Sequence, residues 1–223
     1  MLRVDWIIKR SEMKLMLKTL LKKINTWKSA LWRKHNSEPA KVIIQRRAYE
    51  NYTDYLRHQK EKTLDPQRIQ KWLGEEWDIK LEGFKRIFKR NWEYLQDKKN
   101  ALCLGARTGQ EVAALQSLGL NAIGIDLVPF APYTIAGDVH DLAFKDGEFG
   151  FVFSNIFDHV LYPDKFCSEI ERVLRPGGVA ILHLQVGIEL DEYAETFVND
   201  PDAVIKLFEN VAVVESRPIQ NGF

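Results

Sequence analysis

After residue 100 the chain alternates between short apolar runs and helical patterns, and this alternation constrains the fold more than any other feature. The apolar runs span 100–104, 121–126, 134–138, 149–154 and 179–184. Helical spacing covers 111–118 and 164–174, and Arg175-Pro-Gly-Gly178 predicts a tight turn. Strands that are apolar on both faces and alternate with helices indicate a mostly parallel sheet covered on both sides. The predicted fold class is therefore α/β, a doubly wound sheet preceded by an all-helical region.

The first hundred residues have a different composition. They carry 25 Lys and Arg against 13 Asp and Glu, whereas residues 101–223 carry 7 against 18. All six tryptophans lie in the first hundred residues, and nearly all glycines lie after them. Such asymmetry predicts two differently built regions. We place a helical N-terminal region at 1–97 and the α/β domain at 98–223.

Residues 12–34 have the spacing of an amphipathic basic helix. Its apolar stripe repeats at intervals of three and four residues, at Met13, Leu17, Leu20, Ile24, Trp27 and Leu31. Lysines and arginines fill much of the remaining surface. One interpretation docks this helix on the rest of the protein or on a second copy, which would form a homodimer. The other lays it on an anionic membrane surface as a peripheral contact.

A second helical stretch runs from about 41 to 62. Tyr52, Tyr55 and Gln59 share one face, and Lys62 follows just before the α/β region. These side chains suit a lid over the open strand ends, although a plain packed helix has the same pattern. Asp65-Pro66 indicates the start of another helix, and a further helix is expected over 83–96.

Composition also limits the compartment. The two cysteines, Cys103 and Cys167, imply no disulfide framework and favour a reducing environment. No apolar stretch approaches the roughly 20 residues of a transmembrane helix, and Asp5 interrupts any apolar export signal. No zinc cluster is visible, so no metal is expected. We expect a cytoplasmic protein, with peripheral membrane contact through 12–34 as the alternative.

The residues at the carboxyl ends of the predicted strands are candidates for ligand binding, because ligands of such sheets bind there. The first strand is followed by Gly105–Gly109, a glycine turn that lets backbone approach a ligand. Asp126 ends the second strand and can hold both hydroxyls of a ribose, which would also suit NAD. Asp138 follows the third strand and can accept from an exocyclic amine such as that of adenine, with the Val139 amide meeting a ring nitrogen.

Five segments in this order resemble the class I S-adenosylmethionine-dependent methyltransferases. They are Leu102-Cys-Leu-Gly-Ala-Arg-Thr-Gly109, Ile125-Asp126, Gly137-Asp-Val-His-Asp-Leu-Ala-Phe-Lys-Asp-Gly-Glu-Phe149, Phe153-Ser-Asn155 and Glu169-Ile-Glu-Arg-Val-Leu-Arg-Pro-Gly-Gly178. The resemblance covers roughly residues 98–190. It implies a Rossmann-like fold, methyl transfer and S-adenosyl-L-methionine as cofactor.

The resemblance also implies roles for individual residues. The amino-acid end of the cofactor would pass Gly105, Ala106, Thr108 and Gly109. Asp126 would bind the ribose and Leu127 would pack on the adenine, whose edge Asp138 and Val139 would read. The wall near the methyl donor would consist of Ser154 and Asn155.

Two positions depart from the family's usual turn. Cys103 replaces an acidic residue, and we interpret it as a small apolar filler of a buried strand. Arg107 replaces the middle glycine. Its guanidinium could reach the cofactor carboxylate as a charge-assisted pair, and we count it among the cofactor-binding residues; it could equally point outward or pair with Glu111.

A hydroxyl acceptor benefits from a base near neutral pKa, and three histidines lie near strand ends. His159 is our candidate base because it follows Asp158 on the loop after the fourth strand, where the acceptor should approach. His183 and His140 are weaker candidates.

We expect the acceptor to be a hydroxyl of a small molecule or saccharide. A membrane- or lipid-linked glycan is an alternative that would suit the basic helix. RNA is another, but nucleic acid is unfavoured because Ser154-Asn-Ile-Phe157 lacks the prolines usual in methyltransferases acting on base amino groups. A non-catalytic cofactor-binding or partner module is the remaining alternative.

The C-terminal segment predicts a helix over 202–210 and a strand over 211–216. The sheet of the resembled family usually finishes with a further antiparallel strand. In this chain that strand is expected to be missing or supplied by another segment.

Overall fold

A computed structural model describes residues 2–11, 44–187 and 192–219. The amphipathic helix predicted over 12–34 lies outside these residues. The strands of the described part are β1 Leu2–Arg10, β2 Ile44–Arg46, β3 Asn100–Leu104, β4 Asn121–Asp126, β5 Thr134–Ala136, β6 Phe149–Ser154, β7 Leu174–Val186, β8 Thr196–Val198 and β9 Val211–Ile219. Its α-helices are α1 Tyr52–Leu64, α2 Pro66–Leu73, α3 Trp77–Arg90, α4 Trp92–Leu95, α5 Gln110–Ser117, α6 Pro163–Val173 and α7 Pro201–Ile205.

The main sheet has the strand order β5-β4-β3-β6-β7-β1-β9. The five strands from β5 to β7 are parallel to their neighbours, and β1 runs antiparallel to both β7 and β9. The order reverses at β3, so the sheet winds in both directions from that strand. This topology confirms the predicted fold class, a doubly wound and mostly parallel Rossmann-like sheet.

Helices cover both faces of the sheet, and the strands alternate their side chains between two apolar cores. On one face Phe88 of α3 and Leu115 of α5 pack in the same core as Phe153 of β6. On the other face Ile170 of α6 lies in the core that contains Val152 of β6. Period-two alternation sends neighbouring residues of one strand to opposite faces, so both faces of the central strands are buried.

The N-terminal strand β1 corrects the expectation of an all-helical region over 1–97. Ile8 pairs with Ala180 of β7 and Val213 of β9, so β1 lies inside the sheet of the α/β domain. It occupies the position of the antiparallel strand that the resemblance predicted near the end of the chain. The missing strand is therefore supplied by an N-terminal segment, and the sheet of the α/β domain includes residues from the region expected to be helical.

A buried ion pair accompanies β1. The carboxylate of Asp5 is buried and bonds the guanidinium of Arg90 on α3, and it also contacts His183 of β7. A buried charge is tolerated when it is paired in this way.

The helix expected over 41–62 begins later than its pattern indicated. Residues Ile44–Arg46 form β2, which pairs antiparallel with β8 in a second sheet of two strands. The helix α1 starts at Tyr52, after Asn51 caps it by accepting from the amide of Asp54 at 3.0 Å. The predicted helix start at Asp65-Pro66 is confirmed, since the Asp65 side chain caps α2.

The predicted tight turn at Arg175–Gly178 lies within a strand. These residues belong to β7, where Leu174 pairs with Phe149 and Val179 pairs with Phe151. Three residues more lie between the paired positions on β7 than on β6, so the segment is a bulge, and Gly177 adopts φ +74° within it. Pro176, Gly177 and Gly178 therefore form a bulge within β7, and the chain does not reverse direction there.

None of the helices in the described ranges has both the length and the apolar character that crossing a membrane demands.

Candidate functional site

A cleft lies where the carboxyl ends of β3, β4 and β5 face α1. Seven of the residues singled out from the sequence line it, namely Gly105, Arg107, Asp126, Leu127, Asp138, Val139 and His159. Residues separated by up to 54 positions are therefore brought to one place by the parallel sheet.

The glycine turn after β3 needs both of its terminal glycines. Gly105 and Gly109 have φ values of +70° and +88°. A Cβ at Gly105 would lie 2.5 Å from Cδ1 of Ile156, and one at Gly109 would lie 2.2 Å from Cβ of Tyr133. A side chain at either position would therefore strain the backbone and collide with the packing around the turn.

Asp126 ends β4 and binds the glycine turn. Its carboxylate accepts from the amides of Arg107 and Val128, each at 3.0 Å. Burial raises the pKa of Asp126, and these amides together with the Arg107 charge offset part of that rise. A carboxylate oxygen can accept more than one hydrogen bond, so Asp126 can still accept hydrogen bonds from the two hydroxyls of a diol in the cleft.

Asp138 follows β5 and is bonded by two aromatic side chains. One oxygen accepts from the amide of His140 at 2.9 Å and contacts His140 Nδ1 at 2.9 Å, and the other accepts from the Tyr52 hydroxyl at 2.5 Å. Burial opposes ionisation of Asp138, but these hydrogen bonds outweigh it and lower its pKa to about 2. Asp138 is therefore a carboxylate throughout the physiological range.

His140 has both ring nitrogens engaged inside the protein. Its Nε2 accepts from the Tyr162 amide at 3.1 Å, while Nδ1 faces Asp138. The ring is 1% exposed and does not line the cleft. This arrangement orients Asp138 and leaves neither ring nitrogen of His140 available to take a proton from a substrate.

His159 lies in the short 3₁₀ turn Phe157–His159 after β6 and lines the cleft. Its Nδ1 is 2.8 Å from the Tyr193 carbonyl, and its Nε2 is 2.9 Å from Nζ of Lys62. Oδ2 of Asp158 is 3.6 Å from Nε2. Burial lowers the pKa of His159; Asp158 counteracts this effect, and Lys62 adds to it.

Arg107 lies over an aromatic ring of the N-terminal helices. Its guanidinium carbon is 4.1 Å from the centre of the Trp72 ring on α2, which is a cation–π contact. Gln110 ties α2 to the same turn by donating to the Trp72 carbonyl at 3.0 Å. Arg107 thus lines the cleft beside the glycine turn, and the alternative of an outward-pointing side chain is wrong.

The helix α1 forms the opposite wall of the cleft. Tyr55, Gln59, Lys62 and Thr63 line it, and the Tyr55 hydroxyl donates to the His159 carbonyl at 3.1 Å. The side chains chosen from sequence as a lid therefore lie over the strand ends.

Further contacts hold α1 in place, and sequence reasoning missed them. Gln59 donates to the Tyr193 carbonyl at 2.9 Å and to Glu195 at 2.6 Å, and the buried Glu195 also accepts from the Tyr49 hydroxyl at 2.6 Å. Tyr193, Glu195 and Trp72 gave no signal as site residues, because their partners lie far away in sequence.

Five other predicted residues do not line the cleft: Ala106, Thr108, Gly109, Ser154 and Asn155. Ala106, Thr108 and Ser154 are buried beneath the turn and the strand end. Thr108 donates to the Gln110 side chain at 2.7 Å, and Ser154 faces the Leu104 carbonyl at 3.5 Å. These buried residues therefore support the glycine turn from the side that faces away from the cleft.

Comparison with known families identifies the domain that carries this cleft. Residues 102–182 match the family model described as a methyltransferase domain. This match supports the resemblance to methyltransferases that the sequence motifs indicated. The matched region contains β4 to β6 and most of β3 and β7, together with the glycine turn, Asp126, Asp138 and His159.

Solved structures agree with the methyltransferase fold. A 1,6-didemethyltoxoflavin-N1-methyltransferase from Burkholderia thailandensis, solved with 1,6-didemethyltoxoflavin and S-adenosylhomocysteine, aligns with a TM-score of 0.56 and 14% identity over 77% of this chain and 85% of that chain. A SAM-dependent methyltransferase from Archaeoglobus fulgidus aligns with a TM-score of 0.51 and 14% identity over 61% and 71%.

A third structure, the PH0226 protein from Pyrococcus horikoshii, aligns with a TM-score of 0.43 and 21% identity over 49% of this chain and 58% of that chain. This alignment thus spans less than two thirds of that protein's length. No curated protein matches the sequence significantly.

Proposed function

We propose that this chain is an S-adenosylmethionine-dependent methyltransferase that methylates a hydroxyl of a small molecule or saccharide. One observation carries the proposal: Asp126, Asp138 and His159 all line the same cleft. The two carboxylates suit a nucleoside, and the histidine suits an acceptor hydroxyl. When bound, the cofactor supplies an activated methyl group on a sulfonium.

Each wall of the cleft has its own part in binding. Asp126 accepts from the ribose hydroxyls while its contacts to the amides of Arg107 and Val128 hold the turn. Asp138 accepts from the adenine amine, with Leu127 and Val139 providing apolar contact. Asp126, Leu127, Asp138 and Val139 would form a nucleoside subsite in which the charges are fixed before binding.

The glycine turn would hold the amino-acid end of the cofactor. Gly105 and Gly109 allow the backbone to approach it, and Arg107 pairs with its carboxylate. The Trp72 ring holds the guanidinium against the cleft for this contact. Ala106, Thr108, Ser154 and Asn155 do not line the cleft, so their part in the proposal is to support the turn and the strand end behind it.

His159 accepts the proton of the acceptor hydroxyl. An alcohol ionises far above neutral pH, so a base that removes its proton during transfer lowers the barrier. The Nδ1 contact with the Tyr193 carbonyl orients the ring and leaves Nε2 as the proton acceptor. Asp158, 3.6 Å from Nε2, stabilises the imidazolium that forms.

The helix α1 acts as a lid on the acceptor side. Tyr52, Tyr55, Gln59 and Lys62 each contact a residue of the strand-end loops or of the segment before β8. A cover of this kind excludes water from the cleft once ligands are in place. The Burkholderia structure, a 1,6-didemethyltoxoflavin-N1-methyltransferase with 1,6-didemethyltoxoflavin bound, is an example of a small-molecule acceptor on this fold.

Methyl transfer from labelled cofactor to a set of sugars, glycosides and phenols tests the proposal. With an accepted substrate, His159→Ala should lower kcat by about 10²- to 10⁴-fold, the usual effect of removing a general base. Because the pKa of His159 is lowered, the wild-type rate should rise with pH below about 6.5, and the variant should lose that limb. A loss under tenfold with the limb retained would remove His159 from the mechanism.

A further inference from the structure

The contact between Lys62 of α1 and His159 fixes the chemical state of the imidazole. Nζ of Lys62 lies 2.9 Å from Nε2, and the Tyr193 carbonyl lies 2.8 Å from Nδ1. An ammonium group only donates and a carbonyl only accepts. Nδ1 therefore carries the hydrogen, and Nε2 accepts from Lys62.

The groups around His159 divide into two charge classes. Lys62 on α1 and Arg107 on the glycine turn are cations that disfavour its protonation, and the carboxylate of Asp158 favours it. The remaining neighbours are the Tyr193 carbonyl and the Tyr55 hydroxyl, which donates to the His159 carbonyl. Lys62 is the cation in direct contact with the ring.

Lys62 reaches this position because contacts with Tyr193 hold this part of α1 in place. Its Nζ lies 5.0 Å from the centre of the Tyr193 ring, a cation–π contact with the residue that orients His159. One helical turn earlier, Gln59 donates to the Tyr193 carbonyl at 2.9 Å. The position of Lys62 therefore depends on how α1 packs over the cleft.

We propose that Lys62 is a positioning residue for the base, which donates to Nε2 of His159 and so keeps the imidazole neutral and aimed into the cleft until an acceptor takes its place. The inference rests on the proposed function of His159. In the step that follows, the acceptor hydroxyl donates to Nε2, its oxygen bonds to the methyl carbon as the sulfur–methyl bond breaks, and its proton moves to Nε2. Lys62 remains an ammonium group throughout.

The proposal makes the protonation of His159 depend on the lid. Removal of Lys62 takes away a positive charge in contact with the ring, so the imidazolium becomes easier to form. Two like charges in hydrogen-bond contact near a protein surface repel strongly enough to shift a titration by at least about one pH unit. A shift of that size moves His159 toward protonation under mildly acidic conditions and weakens it as a base there.

Histidine titration by nitrogen-15 NMR on the full chain tests this without any acceptor. His159→Gln assigns the resonance among the five histidines of the sequence. Lys62→Met should raise the pKa of His159 by about one pH unit, and Lys62→Arg should leave it within about 0.3 units because the charge and a donor remain. The matched control is Lys60→Met, which removes the same charge from the outer, exposed face of α1.

The wild type supplies a measurement that does not depend on any variant folding. Its nitrogen shifts at pH 7.5 should show hydrogen on Nδ1 and a bonded, unprotonated Nε2. Hydrogen on Nε2, or a His159 pKa that Lys62→Met changes no more than Lys60→Met does, would overturn the inference. Calorimetry with S-adenosylhomocysteine on the same samples separates this failure from a failure of the proposed function, which would be lack of binding by the wild type.

Discussion

Ile8 lies in the middle of β1 and is fully buried between β7 and β9. Ile8→Ala removes three carbon atoms from the core, which costs about 2.4 kcal/mol in transfer free energy at about 0.8 kcal/mol each. The cavity that remains adds to this, so we expect a loss of about 3–4 kcal/mol in unfolding free energy. For a chain of this size the thermal midpoint should fall by roughly 6–16 °C.

Urea unfolding followed by far-ultraviolet circular dichroism measures this loss. Ile79→Ala is the matched control, because Ile79 on α3 is 65% exposed and its truncation should change the free energy by less than about 0.5 kcal/mol. If Ile8→Ala does not fold, Ile8→Val should cost about 0.5–1.5 kcal/mol. An Ile8→Ala loss within about 1 kcal/mol of the control would show that β1 is not part of the sheet.

Two further predictions concern Glu111 on α5 and Tyr52 on α1. Burial raises the pKa of Glu111 from 4.5 to about 7, so the folded protein binds a proton that the unfolded chain releases, and stability falls as pH rises from about 4.5 to 7. Glu111→Gln should therefore stabilise the protein at pH 8 by up to about 3 kcal/mol and much less at pH 4.5, and an equal effect at both values in urea unfolding would contradict this. Tyr52→Phe removes the hydroxyl that orients Asp138 and should weaken S-adenosylhomocysteine binding by about three- to tenfold in calorimetry. Unchanged affinity, as expected for the control Tyr94→Phe near the β9 edge, would show that Tyr52 has no part in the nucleoside subsite.

The central strands could be predicted because their signal is local. β3, β4 and β6 are apolar on both faces, so each appears in the sequence as a short continuous run, and their observed ends coincide with the predicted ones. Asp126 follows from the same reasoning, since a parallel strand that ends in a carboxylate carries it to the ligand edge. This part of the site could be read from sequence alone.

β1 could not be predicted, because the reasons for its placement are non-local. The segment Leu2–Arg10 contains Asp5 within an otherwise apolar stretch. That charge is tolerated because Arg90 and His183, which are 85 and 178 positions away, meet it in the folded protein. Without those partners the sequence argues against a buried strand. As a consequence, the lid should be tested by point substitutions in α1, since a deletion of 1–63 would also remove β1.

The contacts that complete the site are non-local in the same way. Lys62 and His159 are 97 positions apart, and Tyr193 approaches both from the segment before β8. Arg107 could be recognised as unusual within a glycine turn, but its stacking on Trp72 depends on how α2 packs. Sequence patterns indicate which residues end strands, and packing decides which of them meet.

Calorimetric titration of the full chain with S-adenosylmethionine tests the central claim most directly. The wild type should bind, and Asp126→Ala should bind about 10- to 150-fold more weakly, because hydrogen bonds to a charged group contribute about 1.5–3 kcal/mol. Asp141→Ala, which removes an exposed carboxylate near the same cleft, should bind like the wild type. Absence of binding by the wild type, or equal affinity of wild type and Asp126→Ala, would contradict the assignment of this cleft as the cofactor site.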